Sequence, residues 1–201
     1  MPHAKILVID DASPDGTAAT ARAAGARLGG VDVMVRSGKL GLGSAYRDGF
    51  AHGLRGGYEA LVEMDSDLSH DPAALPGLLR AIEAGADLAV GSRYVRGGAT
   101  RHWSARRRAL SRMGNRYVSG VLALPLVDAT SGFRAYRADI VARLDLQSVR
   151  ADGYGFQIEM AYRVVRAGGH IVELPIEFVD RRRGTSKMSS GIIIEIGRAH
   201  V

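Results

Sequence analysis

The 201-residue sequence holds 46% hydrophobic and 24% charged residues and no cysteine, which fits one globular domain and excludes a disulfide scaffold, a thiolate metal site and a cysteine nucleophile. No apolar run approaches the roughly 18 residues of a membrane-spanning helix, and charges interrupt the opening stretch where a signal peptide needs an apolar core, so the sequence reads as soluble. Residues 1–100 carry 10 basic and 12 acidic residues (net −2) and residues 101–201 carry 17 and 9 (net +8), so an anionic partner is expected in the second half.

Short apolar runs at Ile6 to Ile9, Val31 to Val35, Leu61 to Met64 and Leu88 to Val90 have the length and composition of buried parallel strands. Helical periodicity separates them over Thr17 to Leu28, Gly43 to Gly53 and Pro72 to Ala84, with turn and cap signals at Ser13-Pro14-Asp15-Gly16 and His70-Asp71-Pro72. Alternating strands and helices predict right-handed βαβ units. Beyond residue 100 the pattern predicts a long helix over Trp103 to Leu124, a helix over Gly155 to Ala167 and a strand over Ile171 to Phe178. The expected architecture is a single α/β domain, a Rossmann-like and mostly parallel sheet flanked by helices, with ligands at the carboxyl ends of the strands. Residues 1–195 are assigned to this domain. Residues 196–201 read as a translated sequencing adapter and are set aside.

Asp65 and Asp67 follow a predicted strand, and side chains two apart in an extended segment point the same way. Two carboxylates so placed suit Mg²⁺ or Mn²⁺ bridging phosphate oxygens; the competing reading is a pair of solvated turn residues, with Asp71 capping the next helix. Asp10 to Thr17 ends another strand, where a carboxylate either contacts a nucleoside or caps the helix that follows. Gly41 and Gly43 either admit a ligand close to the backbone or simply make a turn. Trp103 reads as core or edge packing before lipid contact, and the six histidines show no ligand spacing.

Seven blocks stand in order: Val8-Ile9-Asp10-Asp11-Ala12-Ser13-Pro14-Asp15-Gly16-Thr17, Leu40-Gly41-Leu42-Gly43, Met64-Asp65-Ser66-Asp67-Leu68-Ser69-His70, Gly91-Ser92-Arg93-Tyr94, Ser111-Arg112-Met113-Gly114-Asn115, Ser131-Gly132-Phe133-Arg134 and Gly153-Tyr154-Gly155-Phe156-Gln157-Ile158-Glu159-Met160. Together they resemble the family 2 nucleotide-sugar glycosyltransferases of the GT-A fold, and within them the polyprenol-phosphate (dolichol-phosphate) mannose synthases. The resemblance implies transfer of mannose from GDP-mannose to a polyprenyl phosphate with inversion, at the inner, cytoplasmic face of the cell membrane. It implies that Asp11 reads the nucleoside and that Asp65 and Asp67 hold the metal and diphosphate, with Ser69 where some members have a glutamine ligand. It further implies that Arg93, Arg107 and Ser111 meet the acceptor phosphate and that Arg181 and Lys187 lie on a loop over the donor. Arginine forks suit phosphate, and the second half is the basic one.

By the same resemblance, a strand ending in a Pro-Thr-Tyr-Asn-Glu type motif, interior to the sheet, and a helix are expected ahead of the first residues here. A polyprenyl phosphate is largely ionised near neutral pH, its second pKa being about 6, so no general base is expected. The alternatives are a related transferase using another donor such as UDP-glucose, an inactive fragment of either, or a basic nucleic-acid module. The last is disfavoured because the basic half lacks interleaved aromatics.

Overall fold

The computed structural model describes residues 4–180. In chain order the elements are β1 (Ile6–Asp10), α1 (Thr17–Leu28), β2 (Val31–Val35), α2 (Leu42–Arg55), β3 (Ala60–Glu63), α3 (Leu75–Glu83), β4 (Leu88–Ser92), β5 (Ala99–Arg101), α4 (Ala105–Val121), β6 (Arg134–Arg137), α5 (Ala138–Arg143), α6 (Gly153–Arg166), β7 (Ile171–Pro175) and β8 (Glu177–Val179). The predicted α/β order is reproduced.

The central sheet has the order β3-β6-β4-β7. Strand β4 is buried along its whole length, and its side chains alternate between two cores. Leu88 and Val90 enter a cluster with Phe50, Val118, Phe156 and Met160, carried by α2, α4 and α6. Ala89 faces the other way, against Leu78 and Ile82 of α3. Tyr136 and Ala135 of β6 divide between the same two clusters, so helices cover both faces.

The strands are mostly parallel, as expected: β1 with β2, β4 with β7 and β5 with β8 pair in parallel, while β6 runs antiparallel to both β3 and β4. Two expectations are corrected. The first two strands do not join this sheet; β1 and β2 pair in parallel only with each other among the described residues, and most of their residues are only half buried or exposed. A cleft of about 400 Å³ lies between β1 and β3, lined by Leu7, Ile9, Tyr46, Phe50, Leu61 and Val62. Helix α2 reaches both sides of it, since a Cβ at Gly49 would meet Ile9 Cδ1 at 2.9 Å and one at Gly53 would overlap Leu61. The predicted strand Ile171 to Phe178 is two strands, β7 on β4 and β8 on β5, broken at Ile176, whose N–H donates to Ser92 O at 3.0 Å.

The long helix is shorter than its periodicity suggested. Ser104 caps it, its hydroxyl accepting from Arg107 N at 3.2 Å, and Trp103 before it is buried against Phe178. None of the helices among the described residues is long and apolar enough to cross a membrane.

Candidate active site

The loops after β1, β3 and β4 leave the carboxyl ends of their strands, where the expected site residues stand. Asp10 ends β1 buried, its Oδ2 accepting from Ser13 N at 3.0 Å, which fixes the turn and leaves Asp11 as the carboxylate beyond it. Asp11 Oδ1 is 2.5 Å from Arg36 Nη2 and accepts from Arg36 Nε at 2.6 Å. Arg36, just past β2, is 7% exposed and also donates to Ser44 Oγ at 2.5 Å, Gly41 O at 3.2 Å and Asp48 Oδ2 at 3.3 Å. One guanidinium thus ties the Asp11 loop to the start of α2. Arg36 was not singled out in the sequence; its signal was a lone cation directly after an apolar strand in a half with excess acid.

Gly41 and Gly43 are explained by a contact inside the protein. Gly41 has φ 92, and a Cβ there would overlap the Asp152 carboxylate; a Cβ at Gly43 would lie 2.6 Å from Ala151 O. Gly43 N donates to Asp152 Oδ1 at 2.6 Å, so the glycines let the loop before α2 meet the start of α6.

Beyond β3, Asp65 and Asp67 are half buried. Asp65 Oδ1 accepts from Tyr46 Oη at 3.3 Å, and a Cβ on Gly132 would sit 3.6 Å from Asp65 Oδ2. Asp67 Oδ1 accepts from Ser69 N at 3.0 Å and from the Ser69 hydroxyl. Ser69 is buried and orients Asp67 from behind. His70 Nδ1 accepts from Asp65 N at 3.4 Å, and burial lowers its pKa to about 4, so it stays neutral. Among the described residues no group of three or more His, Cys, Asp or Glu side chains is arranged to hold a metal, so the two carboxylates form a hard, incomplete donor set. Such a set fits Mg²⁺ or Mn²⁺ that takes its remaining ligands from phosphate and water.

Behind them, Glu63 is fully buried with its Oε1 3.3 Å from Tyr136 Oη and 3.8 Å from Arg134 Nε. Burial pushes its pKa up to about 8, with Arg134 opposing the shift. Arg134 donates to Ala129 O and Gln157 O at 2.6 Å and to Ser131 O at 2.7 Å, fixing the strand-entry loop that carries Gly132 against Asp65.

That same loop builds the basic end of the site. Asp128 accepts from Arg93 N at 2.9 Å, Nε at 2.8 Å and Nη2 at 2.5 Å, while Arg93 Nη2 also donates to Thr130 Oγ1 at 2.7 Å. Glu173 of β7 accepts from Val127 N at 2.7 Å and Asp128 N at 3.0 Å, holding the loop from the other side. Asn115 of α4 bonds to Thr130 at both ends of its amide, and Tyr94 Oη donates to Ser111 Oγ at 2.6 Å. Arg107 lies 3.9 Å over the Trp103 ring and 2.6 Å from Asp180 Oδ2. The structure therefore gathers Arg93, Tyr94, Ser111, Asn115 and Thr130, and Gly132 joins that cluster to Asp65. Helix α2 links Asp11 to Asp65: its Ser44 accepts from Arg36, which holds Asp11, and its Tyr46 donates to Asp65. Arg181 and Lys187 lie outside the described residues.

A sequence model described as Glycosyl transferase family 2 matches residues 1–145. The polyprenol monophosphomannose synthase of Mycolicibacterium smegmatis is 50% identical over 195 residues, 96% of this chain and 74% of that protein. The undecaprenyl-phosphate mannosyltransferase of Micrococcus luteus is 49% identical over 195 residues, 97% of this chain and 80% of that protein. Among solved structures, glucosyl-3-phosphoglycerate synthase from Mycobacterium tuberculosis with Mn²⁺, UDP-glucose and phosphoglyceric acid superposes with a TM-score of 0.68 at 20% identity, over 94% of this chain and 66% of that one. Its complex with phosphoglyceric acid gives 0.63 at 21% identity, this chain spanning 61% of its length. With the family model over most of the chain and relatives near half identity over nearly all of it, the chain belongs to glycosyl transferase family 2.

Proposed function

We propose that the chain transfers mannose from GDP-mannose to a polyprenyl phosphate, inverting the anomeric centre, at the cytoplasmic face of the membrane. The observation that carries the reading is the single loop 128–134, which has Arg93 at one end and the Asp65 carboxylate against Gly132 at the other. An anionic acceptor and an anionic leaving group need such a pairing: cations on one side, a carboxylate pair for a divalent ion on the other. The names of the two relatives point to the same acceptor and sugar.

Asp65 and Asp67 would hold Mg²⁺ or Mn²⁺, which stabilises the charge of the departing diphosphate. Tyr46 and Ser69 keep the two carboxylates oriented. Asp11, gripped by Arg36, is assigned to accept from the nucleoside. On the other side, Asp128 and Thr130 take Nε and Nη2 of Arg93, leaving Nη1 as the edge that meets the acceptor phosphate. Ser111 accepts from Tyr94, so its own proton is available to a phosphate oxygen. Arg107 adds charge at the rim, with Arg181 and Lys187 assigned to the donor side.

In the transfer, a phosphate oxygen attacks the anomeric carbon opposite the diphosphate, whose glycosidic C–O bond breaks as the new one forms. The attacking oxygen carries no proton, so no side chain need remove one. The cluster instead offsets the repulsion between two anions and aligns them.

The test is a transfer assay with a short polyprenyl phosphate and either GDP-mannose or UDP-glucose. Formation of a β-mannosyl product from GDP-mannose, with UDP-glucose inert, is expected. Glucosyl product alone would replace the donor, and product on neither with a competent, folded chain would overturn the reading.

A further inference from the structure

The basic end of the site contains two arginine–aspartate pairs of opposite character. Arg93 and Asp128 have side-chain exposures of 5% and 0%, so neither exchanges its partner for water or a ligand. Arg107 and Asp180 also touch, at 2.6 Å, but their side chains are 25% and 31% exposed. A part-exposed pair of this kind contributes little stability, and both members re-solvate readily when it opens. The two arginines lie against one ring, with Arg93 Cζ 5.5 Å and Arg107 Cζ 3.9 Å from the Trp103 centroid. Ser111 stands four residues beyond Arg107 on α4, on the same face of the helix.

Fixed elements bring Asp180 and Arg107 together. Asp180 directly follows β8, which pairs in parallel with β5, and its neighbour Val179 N donates to Ser69 O at 3.1 Å. Phe178 of the same strand meets Trp103 edge-on, with ring centroids 5.6 Å apart. Arg107 is set by the Ser104 cap of its helix and by the Trp103 ring beneath its guanidinium. Asp180 is thus a built-in anion on an arginine assigned to the acceptor phosphate, and the two compete for it.

The reaction changes the charge of that competitor. A polyprenyl phosphate is a dianion above its second pKa of about 6. Its attacking oxygen becomes the bridge to the sugar, so the product is a phosphodiester with one negative charge. The other negative charge leaves on the nucleoside diphosphate with the electron pair of the broken glycosidic C–O bond, and no proton is gained or lost. A dianion shared by two arginines is held more strongly than a carboxylate on one of them, whereas a monoanion loses much of that advantage.

We propose that Asp180 is a positioning residue that acts through Arg107: it yields the guanidinium to the dianionic acceptor and takes it back once the phosphate has become a monoanionic diester, which speeds product release. The inference rests on the reading above, that the acceptor is a polyprenyl phosphate met by Arg107, and deepens it by giving that site a way to let its product go.

The test compares the full chain as wild type, Asp180→Asn and Asp180→Glu at about pH 8, where the acceptor is a dianion. Each is titrated calorimetrically with a short, water-soluble polyprenyl phosphate and with its methyl diester, which carries the charge of the product. Asp180→Asn should bind both about threefold more tightly, whereas Asp180→Glu, which keeps the carboxylate, should stay near wild type. In steady-state transfer, Asp180→Asn should lower the acceptor KM and the inhibition constant of the product together. A purely structural role for the Arg107–Asp180 pair predicts the reverse, weaker binding and a raised KM. In an Arg107→Gln background, Asp180→Asn should leave both affinities unchanged, because the carboxylate then has no arginine to contest. Weaker or unchanged binding in Asp180→Asn, or the same tightening with Arg107 replaced, would overturn the proposal. Absence of mannose transfer by the wild type would count against the reaction assigned above, and the two titrations would still decide the role of Asp180.

Discussion

Asp128 and Arg93 form a closed pair: the carboxylate takes both the Nε and the Nη2 of the guanidinium, at 2.8 and 2.5 Å, with side-chain exposures of 0% and 5%. Removing one member leaves the other charged and without water. Asp128→Ala should therefore destabilise the protein by about 3–5 kcal/mol, measured as a shift of the urea midpoint. A loss below about 1 kcal/mol would mean that the loop relaxes to solvate Arg93.

If the basic cluster serves the acceptor, substitutions there separate the two substrates. Arg107→Gln and Ser111→Ala should raise the KM for polyprenyl phosphate about tenfold, a loss of roughly one charge-assisted hydrogen bond, with the KM for GDP-mannose little changed. Steady-state kinetics with each substrate varied in turn provide the check. The reverse ranking would assign these residues to the donor.

Glu63 gives stability a pH signature. Its pKa is raised by burial to about 8 in the folded protein, against about 4.3 for an unperturbed carboxyl, so the folded state binds more protons across that window. The favourable contribution is complete below about 4.3 and is lost as pH rises through 8. His70, lowered by burial to about 4, acts oppositely, but only below its unfolded value of about 6.5. Between pH 6.5 and 8 the Glu63 effect stands clear of it. Glu63→Gln should gain stability relative to wild type over that interval, by up to about 1.4 kcal/mol per pH unit, in paired denaturant titrations. A constant difference would show that Arg134 keeps Glu63 ionised.

The paired strands β1 and β2 should be less protected than the central sheet. They form a two-stranded ribbon with Asp10 as its one buried residue, whereas all of β4 is buried. Such ribbons are marginal without further support. Hydrogen–deuterium exchange followed by mass spectrometry should show β1 and β2 exchanging well before β4 and β6; equal protection would mean that the cleft beside β1 is filled in solution.

The sequence was legible where its signal was local. The β1, β2 and α1 spans and the Asp65–Asp67 turn follow from periodicity and turn residues, because the pattern of an element is written at every second or every third and fourth position, whereas Ser111 was singled out by the resemblance alone. What was hidden is non-local. Arg134-Ala135-Tyr136-Arg137 does not look like an interior strand because its first arginine is fully buried, satisfied by three carbonyls that only the fold assembles. Arg36 and Asp152 were missed for the same reason, their partners Asp11 and Gly43 lying 25 and 109 residues away. Arg93 looked like a phosphate ligand in sequence; the structure gives two of its nitrogens to Asp128 and Thr130, which leaves one edge for that role.

The central claim is that Asp65 and Asp67 hold a divalent ion and the donor diphosphate against the loop that carries the acceptor cluster. Calorimetric titration of GDP into the protein, with and without Mn²⁺, tests it most directly in the wild type, Asp65→Ala and Asp67→Ala. The account predicts Mn²⁺-dependent binding in the wild type that both variants lose, by about a hundredfold or more, while their folded far-ultraviolet spectrum is retained. GDP binding that is independent of Mn²⁺, or that survives unchanged in both variants, would contradict it.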